Sequence, residues 1–407
     1  MKCRLCNADI EHVFVDLVAS PPSNSFLSAD GLSEPETYFP LKVMVCHHCW
    51  LVQIAESKPA KEIFSSEYVY FSSYSKSWLA HAKRYADMIV PRLGLDGSSF
   101  VVEIASNDGY LLRNFVQRKI PCLGVEPAHG TAQAARSLGV ETDIEFFGAE
   151  YAGTLVRSGR QADLVVGNNV LAHVPDLNDF LGGTELLLKP DGVVTFEFPC
   201  LMTLVKEGLF DTIYHEHFSY FSLFVVERAF RDRGLRLFDV ERLLTHGGSL
   251  RVYGCRDSAR WPTSAAVSKV LAEERAAGVA GHAFYEGFQS RANRAKNDFL
   301  SFLLEARRDG RKVAGYGAAA KGNTLLNYCG VKADLMPYIV DGSPHKRGLF
   351  APGSHIPVVA PEHLRQDKPD YIVILPWNLR EEISSQLAFV REWGARVVIA
   401  IPKLEIF

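Results

Sequence analysis

The chain has 407 residues, more than one hydrophobic core ordinarily organises, so two or three domains are expected. A net charge of −3 gives no electrostatic footing for a nucleic-acid partner, and 47% hydrophobic with 22% charged residues is the balance of a globular protein. No apolar run reaches the roughly 18–20 residues needed to cross a bilayer, and the opening Met-Lys-Cys-Arg leads into no signal-type stretch. The expectation is a cytoplasmic chain without a membrane partner, its eight cysteines reduced and serving as ligands or core residues.

Residues 1–65 read as loop-rich, with little periodicity, the pair Pro21-Pro22 and too few apolar side chains to hold together unaided. Cys3-x-x-Cys6 and Cys46-x-x-Cys49 are two knuckles that present four thiolates to a tetrahedral zinc ion. Their wide separation leaves two reduced thiol pairs as the alternative. His47 and His48 are read as bystanders, because four thiolates already fill the site, and a filled site is structural rather than catalytic.

Strand–helix alternation then begins. The spacing predicts a helix over 78–94, strands over 100–104, 121–125, 163–167 and 192–198, and helices over 110–119, 128–138 and 177–188. This pace means a parallel sheet with helices on both faces. A long helical stretch over 262–309 leads to a second α/β unit, with strands over 311–316, 335–340, 371–375 and 395–400.

Candidate site residues gather at the strand ends. After the first strand comes Glu103-Ile-Ala-Ser106-Asn107-Asp108-Gly109, and the second ends in Glu126-Pro127. An acidic residue there suits a ribose diol. The turn has one glycine, with Asn107 and Asp108 beside it. Such an anionic turn fits a pyrophosphate poorly and fits a sulfonium with its α-amino group well, which favours S-adenosylmethionine. A plain turn without ligand is the alternative. Asn168, Asn169 and His173 follow the next strand's carboxyl end, where open α/β sheets bind ligands.

Tyr214-His215-Glu216-His217 is not a His-Glu-x-x-His zinc helix, since position 219 is Ser. An extended chain puts His215 and His217 on one face; a turn changes this. An acid–base cluster is favoured, because imidazoles titrate near working pH. A loop of satisfied histidines and a second metal site are the alternatives. In the C-terminal unit, Gly315-x-Gly317 opens a helix carrying Lys321, Asn323 and Thr324, where helix amides and a cation suit a diphosphate. Lys346 and Arg347 add charge, and Trp377-Asn378 is placed to stack on or bond a base, unless the Trp is simply buried. Gly315 and Gly317 with Asp341 also make a loose dinucleotide site, so NAD is a rival ligand.

The succession of both cysteine knuckles, Glu-Ile-Ala-Ser-Asn-Asp-Gly, Asn-Asn-Val-Leu-Ala-His-Val and Tyr-His-Glu-His-Phe-Ser-Tyr resembles the S-adenosylmethionine-dependent nucleotide-sugar C-3 methyltransferase family over nearly the whole chain. The resemblance implies a zinc-binding domain over 1–65, a class I methyltransferase domain over 66–255 and a Rossmann-like domain over 256–407 that holds the nucleotide sugar. It implies methylation at C-3 of a nucleotide-linked 4-keto deoxysugar, dTDP-linked ahead of GDP-linked, through an enolate. His217 is then the expected base, Tyr214 its rival or relay, Glu216 the group that orients the cluster, and His173 the stabiliser of the enolate oxygen. It also implies a role for Tyr68, with Ser72, over the cofactor pocket. A monomer is expected. An NAD-dependent oxidoreductase and a zinc-ribbon binding protein are the competing functions.

Overall fold

The computed structural model describes residues 1–55 and 71–407, and among them three sheets organise the chain. Tyr68 lies outside the described residues. The first sheet is antiparallel: β1 (His12–Ser20), β2 (Phe39–Val45), β3 (Val52–Ile54) and, from far along the chain, β9 (Ser219–Tyr220). The N-terminal region is thus more regular than its sequence suggests. The register shifts twice along β1 and Val18 adopts a left-handed φ of 68°, which breaks the period-2 pattern.

This sheet has no private core. Phe14, Val15, Val43 and Ile54 join Phe210, Phe218, Phe288 and the strands of the C-terminal sheet in one apolar cluster, with Phe14 stacked on Phe288 at 4.4 Å. Sharing a core answers the shortage of apolar residues in the first 65 positions.

The knuckles bring Cys3 Sγ within 3.4 Å of Cys49 Sγ and Cys6 Sγ within 3.6 Å of Cys46 Sγ. All four sulfurs lie within 4.8 Å of one another. Zinc–sulfur bonds of about 2.3 Å place tetrahedral ligands about 3.8 Å apart, so the donor set fits zinc. The knuckles close alike: Asn7 N–H donates to Cys3 O and Trp50 N–H to Cys46 O, with Asn7 and Trp50 both at positive φ. His47 and His48 are not members of the cluster.

The second sheet has the order β10-β11-β8-β7-β4-β5-β6. Its parallel part comprises β4 (Val101–Ile104), β5 (Cys122–Val125), β6 (Thr142–Asp143), β7 (Ala162–Asn168) and β8 (Leu188–Pro199). An antiparallel hairpin, β10 (Leu235–Leu243) and β11 (Ser249–Arg256), is added at the β8 edge. The expected helix over 110–119 shrinks to Arg113–Val116, because the Arg118 and Lys119 amides bond carbonyls three residues back. The helix Lys76–Leu93 starts at a capping Ser75, whose hydroxyl accepts from Trp78 N–H, and stops at left-handed Gly94.

The expected helical stretch over 262–309 is two helices, Ala265–Ala276 and Phe288–Arg308, parted by a segment with Gly278 and Gly287 at positive φ. The third sheet follows in the order β14-β13-β12-β15-β16-β17. Here β12 (Val313–Tyr316), β13 (Ile339–Val340), β14 (Val358–Val359), β15 (Tyr371–Ile374) and β16 (Arg396–Ile399) are parallel, and β17 (Glu405–Ile406) is antiparallel. The strand expected over 335–340 is only its last two residues, since Leu335 and Met336 are spent on a turn back to Lys332. Among the described residues no helix is long and apolar enough to cross a membrane.

Elemental analysis of untagged protein should give about one zinc per chain. Cys46→Ser should lose that zinc together with thermal stability, whereas Cys255→Ser, outside the cluster, should keep it.

Candidate active site

The second and third sheets point the carboxyl ends of their parallel strands at one cavity of about 370 Å³. In both, this is the edge at which open α/β sheets collect ligands. One wall is made by the residues that end β4, β5 and β7: Ala105 and Asn107, Glu126 and Pro127, Asn168 and Asn169. Asn168 is 8% exposed and neither its Oδ1 nor its Nδ2 has a partner within the described residues, so its amide is left for a ligand. Glu126 accepts from Asn107 N–H at 2.9 Å and Ala128 N–H at 2.8 Å, which fixes its carboxylate at the cavity edge. Burial pushes its pKa up, against those two backbone donors. An acceptor-rich wall with a free amide fits the ribose and amino-acid ends of S-adenosylmethionine.

The turn itself is spent differently from the reading of its charge. Asp108 Oδ2 accepts from Ser73 N–H and its hydroxyl, at 3.0 and 2.5 Å, and Asn107 Oδ1 accepts from Ser72 N–H at 2.9 Å. Ser72 lines the cavity, but Glu103, Ser106, Asp108 and Gly109 do not. Gly109 is required because φ is 76° and a Cβ would lie 3.2 Å from Ala135 Cα. It admits the helix His129–Ser137 rather than a ligand. Glu103 is buried below the turn, where burial holds its pKa well up and Tyr110 opposes this.

The segment Tyr214–His217 forms a turn closed by His217 N–H donating to Tyr214 O at 2.9 Å. Positions i and i+3 of a turn lie together, so the Tyr214 and His217 rings sit 4.0 Å apart and both line the cavity with Glu216. His215 points away and donates from Nε2 to the carbonyls of Phe39 and Pro40 at 3.2 and 3.3 Å. No metal cluster forms here among the described residues. His217 Nδ1 donates to Thr212 O at 2.8 Å, so the neutral ring carries its lone pair on Nε2. His173 packs edge-on against His217 at 4.7 Å and bonds the Glu216 backbone. Burial, helped by the neighbouring His173, holds the His217 pKa well below the imidazole range, and burial brings His173 to about 4. Both rings are therefore neutral near pH 7.

The opposite wall comes from the third sheet. Lys321 Nζ donates to Asn378 Oδ1 at 2.7 Å and lies 4.7 Å over the Trp377 ring; Lys346 Nζ donates to Ala318 O at 2.7 Å. Lys321, Lys346 and Asn378 line the cavity. Burial lowers both ammonium pKa values, opposed by Asp211 for Lys321 and by Asp341 for Lys346. Asn323, Thr324 and Trp377 do not line it. Asn323 Nδ2 donates to Ser23 O and Thr324 Oγ1 to Ile213 O, so that helix face anchors two loops. Trp377 Nε1 donates to buried Asp211 at 2.6 Å. The glycines proposed for a dinucleotide are packing residues as well: a Cβ on Gly317 would meet Pro376 at 2.5 Å, and Asp341 Oδ2 accepts from Ala318 N–H.

Among the lining residues that escaped the sequence reading are Asn24, Trp78 and His246. Asn24, from the N-terminal region, donates from Nδ2 to Glu216 Oε1 at 2.7 Å. Trp78 stacks on His81. His246, in Thr245-His-Gly-Gly, sits at φ 53° with Nε2 2.9 Å from Asn169 Nδ2. Burial and then Lys321 lower its pKa to about 4. The paired glycines after His246 were the one available signal of an exceptional backbone.

Three family profiles match in succession: a zinc binding domain over residues 3–64, a methyltransferase domain over 78–240 and a C-methyltransferase C-terminal domain over 244–402. The C-methyltransferase NovU of Streptomyces niveus is 36% identical over 402 residues, spanning 99% of this chain and 96% of its own. Among solved structures, the SAM-bound magnesium protoporphyrin IX methyltransferase of Synechocystis PCC 6803 is 13% identical, covering 50% of this chain and all of its own at a TM-score of 0.37. A SAM-dependent methyltransferase of Thermotoga maritima is 17% identical, covering 48% of this chain and 99% of its own at a TM-score of 0.36. With the relative aligned end to end and a donor set that fits zinc, the chain belongs to the C-methyltransferase family, as a class I methyltransferase that uses S-adenosylmethionine and holds a structural zinc on Cys3, Cys6, Cys46 and Cys49.

Proposed function

We propose that the chain methylates C-3 of a nucleotide-linked 4-keto deoxysugar by way of an enolate. The observation that carries this reading is the Tyr214–His217 turn, stacked against His173 in a cavity with an acceptor-rich wall on one side and two buried ammonium groups on the other. On this reading residues 1–65 form the zinc-binding domain, 66–255 the cofactor domain and 256–407 the sugar-nucleotide domain. A dTDP-linked sugar ahead of a GDP-linked one accompanies this reading, and a monomer and a cytoplasmic setting are kept as expectations of the sequence.

A C–H bond is not a nucleophile, so methyl transfer to carbon needs a carbanion equivalent. A C-4 ketone makes the C-3 proton removable, because the charge passes to oxygen. When bound, S-adenosylmethionine supplies a methyl group made electrophilic by its sulfonium. His217 takes the C-3 proton on Nε2, while its Nδ1–H bond to Thr212 O holds the tautomer. His173, the expected stabiliser of the enolate oxygen, gives its one N–H to the Glu216 backbone and braces the turn beside the base, and Glu216, held by Asn24, orients the cluster. Tyr214 is the rival base or the relay by which the proton leaves. Glu126 takes the ribose; Ser72, Asn107, Pro127, Asn168 and Asn169 flank the rest of the cofactor. Among the described residues Lys321 and Lys346 donate to the neutral oxygens of Asn378 and Ala318, and an anionic diphosphate suits both.

Glu126→Gln should weaken adenosylhomocysteine binding by ~1.5–3 kcal/mol in calorimetry, the value of a hydrogen bond to a charged acceptor. Lys321→Ala should raise the KM for the sugar nucleotide and spare adenosylhomocysteine affinity; the reverse pattern exchanges the roles of the two walls. His217→Asn should block both methylation and loss of a C-3 deuterium to water, with both ligands still bound. Near-normal turnover in His217→Asn together with loss in Tyr214→Phe would make Tyr214 the base. Since burial keeps His217 and His173 unprotonated below the ordinary imidazole value of about 6.5, kcat should hold steady as pH falls from about 8 to about 6.

A further inference from the structure

The zinc knuckle Cys3-Arg4-Leu5-Cys6 lies directly behind the His173–His217 pair. Arg4 Nε donates to Pro175 O at 3.2 Å, two residues beyond His173. Arg4 Nη1 donates to Phe218 O at 2.5 Å, one residue beyond His217, and to Ile54 O at 3.1 Å in β3. The guanidinium also covers the Phe218 ring at 5.4 Å. Its own backbone is fixed: Arg4 N–H donates to Gln53 Oε1 while Gln53 Nε2 donates to Cys3 Sγ, and Asn178 Nδ2 donates to both Arg4 O and Leu5 O.

One side chain thus ties a metal-ligand loop to the two backbone segments that carry the imidazoles. The covalent path from His173 to His217 runs through all of β8, so it does not set their spacing. Beside the direct bond of His173 to the Glu216 backbone, a planar guanidinium with a rigid fork of donors fixes it from behind, because its donors hold several carbonyls in one frame. We infer that Arg4 is a positioning residue for the reaction, setting the separation of His173 and His217 and making the active-site geometry depend on the folded zinc knuckle. This rests on the reading of His217 as the base with His173 packed beside it.

The test uses the full-length, zinc-loaded protein with Arg4→Lys and Arg4→Gln, neither of which can hold the same carbonyls in one plane. Zinc content, adenosylhomocysteine affinity, kcat and KM are measured with the ring NMR signals of His173 and His217. Zinc and adenosylhomocysteine should stay bound, both ring signals should move, and kcat should fall on the order of 10- to 100-fold with little change in KM, as expected for a displacement approaching 1 Å at reacting groups. Moved signals with unchanged kcat keep Arg4 as the residue that places the rings and overturn His217 as the base. Unmoved signals overturn the inference. So does loss of zinc in both variants, or failure of both to fold, since either makes Arg4 a residue of the knuckle alone.

Discussion

A single buried carboxylate, Glu197 near the end of β8, holds the cofactor side of this molecule together. It is fully buried and accepts from His81 at 2.8 Å, Arg251 at 2.9 Å and the Thr245 hydroxyl at 2.7 Å. Burial acts to raise its pKa, yet His81 and Arg251 outweigh burial and keep it ionised. Its backbone carbonyl also accepts from Asn169 N–H at 2.7 Å. The helix Lys76–Leu93, the β10–β11 turn and the end of β7 therefore meet at one residue. Removing a partner from such a cluster strands a charge in the interior and costs about 3–5 kcal/mol. Through Thr245 its carboxylate, and through Asn169 its backbone carbonyl, set where His246 enters the cavity.

The charges around the cavity are segregated. Glu126 and the Asn side chains face it from the ends of β4, β5 and β7, neutral imidazoles with Glu216 line the turn between, and ammonium groups face it from the third sheet. Two buried lysines beside a sulfonium would repel it strongly in a low-dielectric setting. Placing them on the far wall gives the anionic end of a substrate its own region. Keeping His217 neutral leaves its Nε2 able to accept a proton, because its one N–H is held by Thr212 O.

Much of this was legible in the sequence where short-range chemistry governs. The cysteine spacing named its own ligand set, and the strand-ending Glu126, Asn168 and Asn169 stand where alternation put them. What escaped depends on contacts between distant segments. Tyr214, Glu216 and His217 were identifiable as polar groups in an aromatic run, but only the turn decides that His215 leaves the cavity. Asp108 read as a ligand because its charge was visible and its partner, Ser73, was not. Asn323 and Thr324 share a helix with Lys321, yet their face meets Ser23 and Ile213 instead. β1 was missed because its bulges erase alternation, the one local sign of a strand.

Asn24 and Glu216 are 192 residues apart in sequence. A chain made from its N-terminus at about 5–20 residues per second exposes Asn24 for on the order of ten seconds or more before its partner is synthesised. The wall bearing Lys321 and Asn378 comes later still. Early segments must therefore wait unpaired, and the cavity closes only when nearly the whole polypeptide has left the ribosome. A nascent chain can fold its central sheet well before this, but it cannot assemble a complete site.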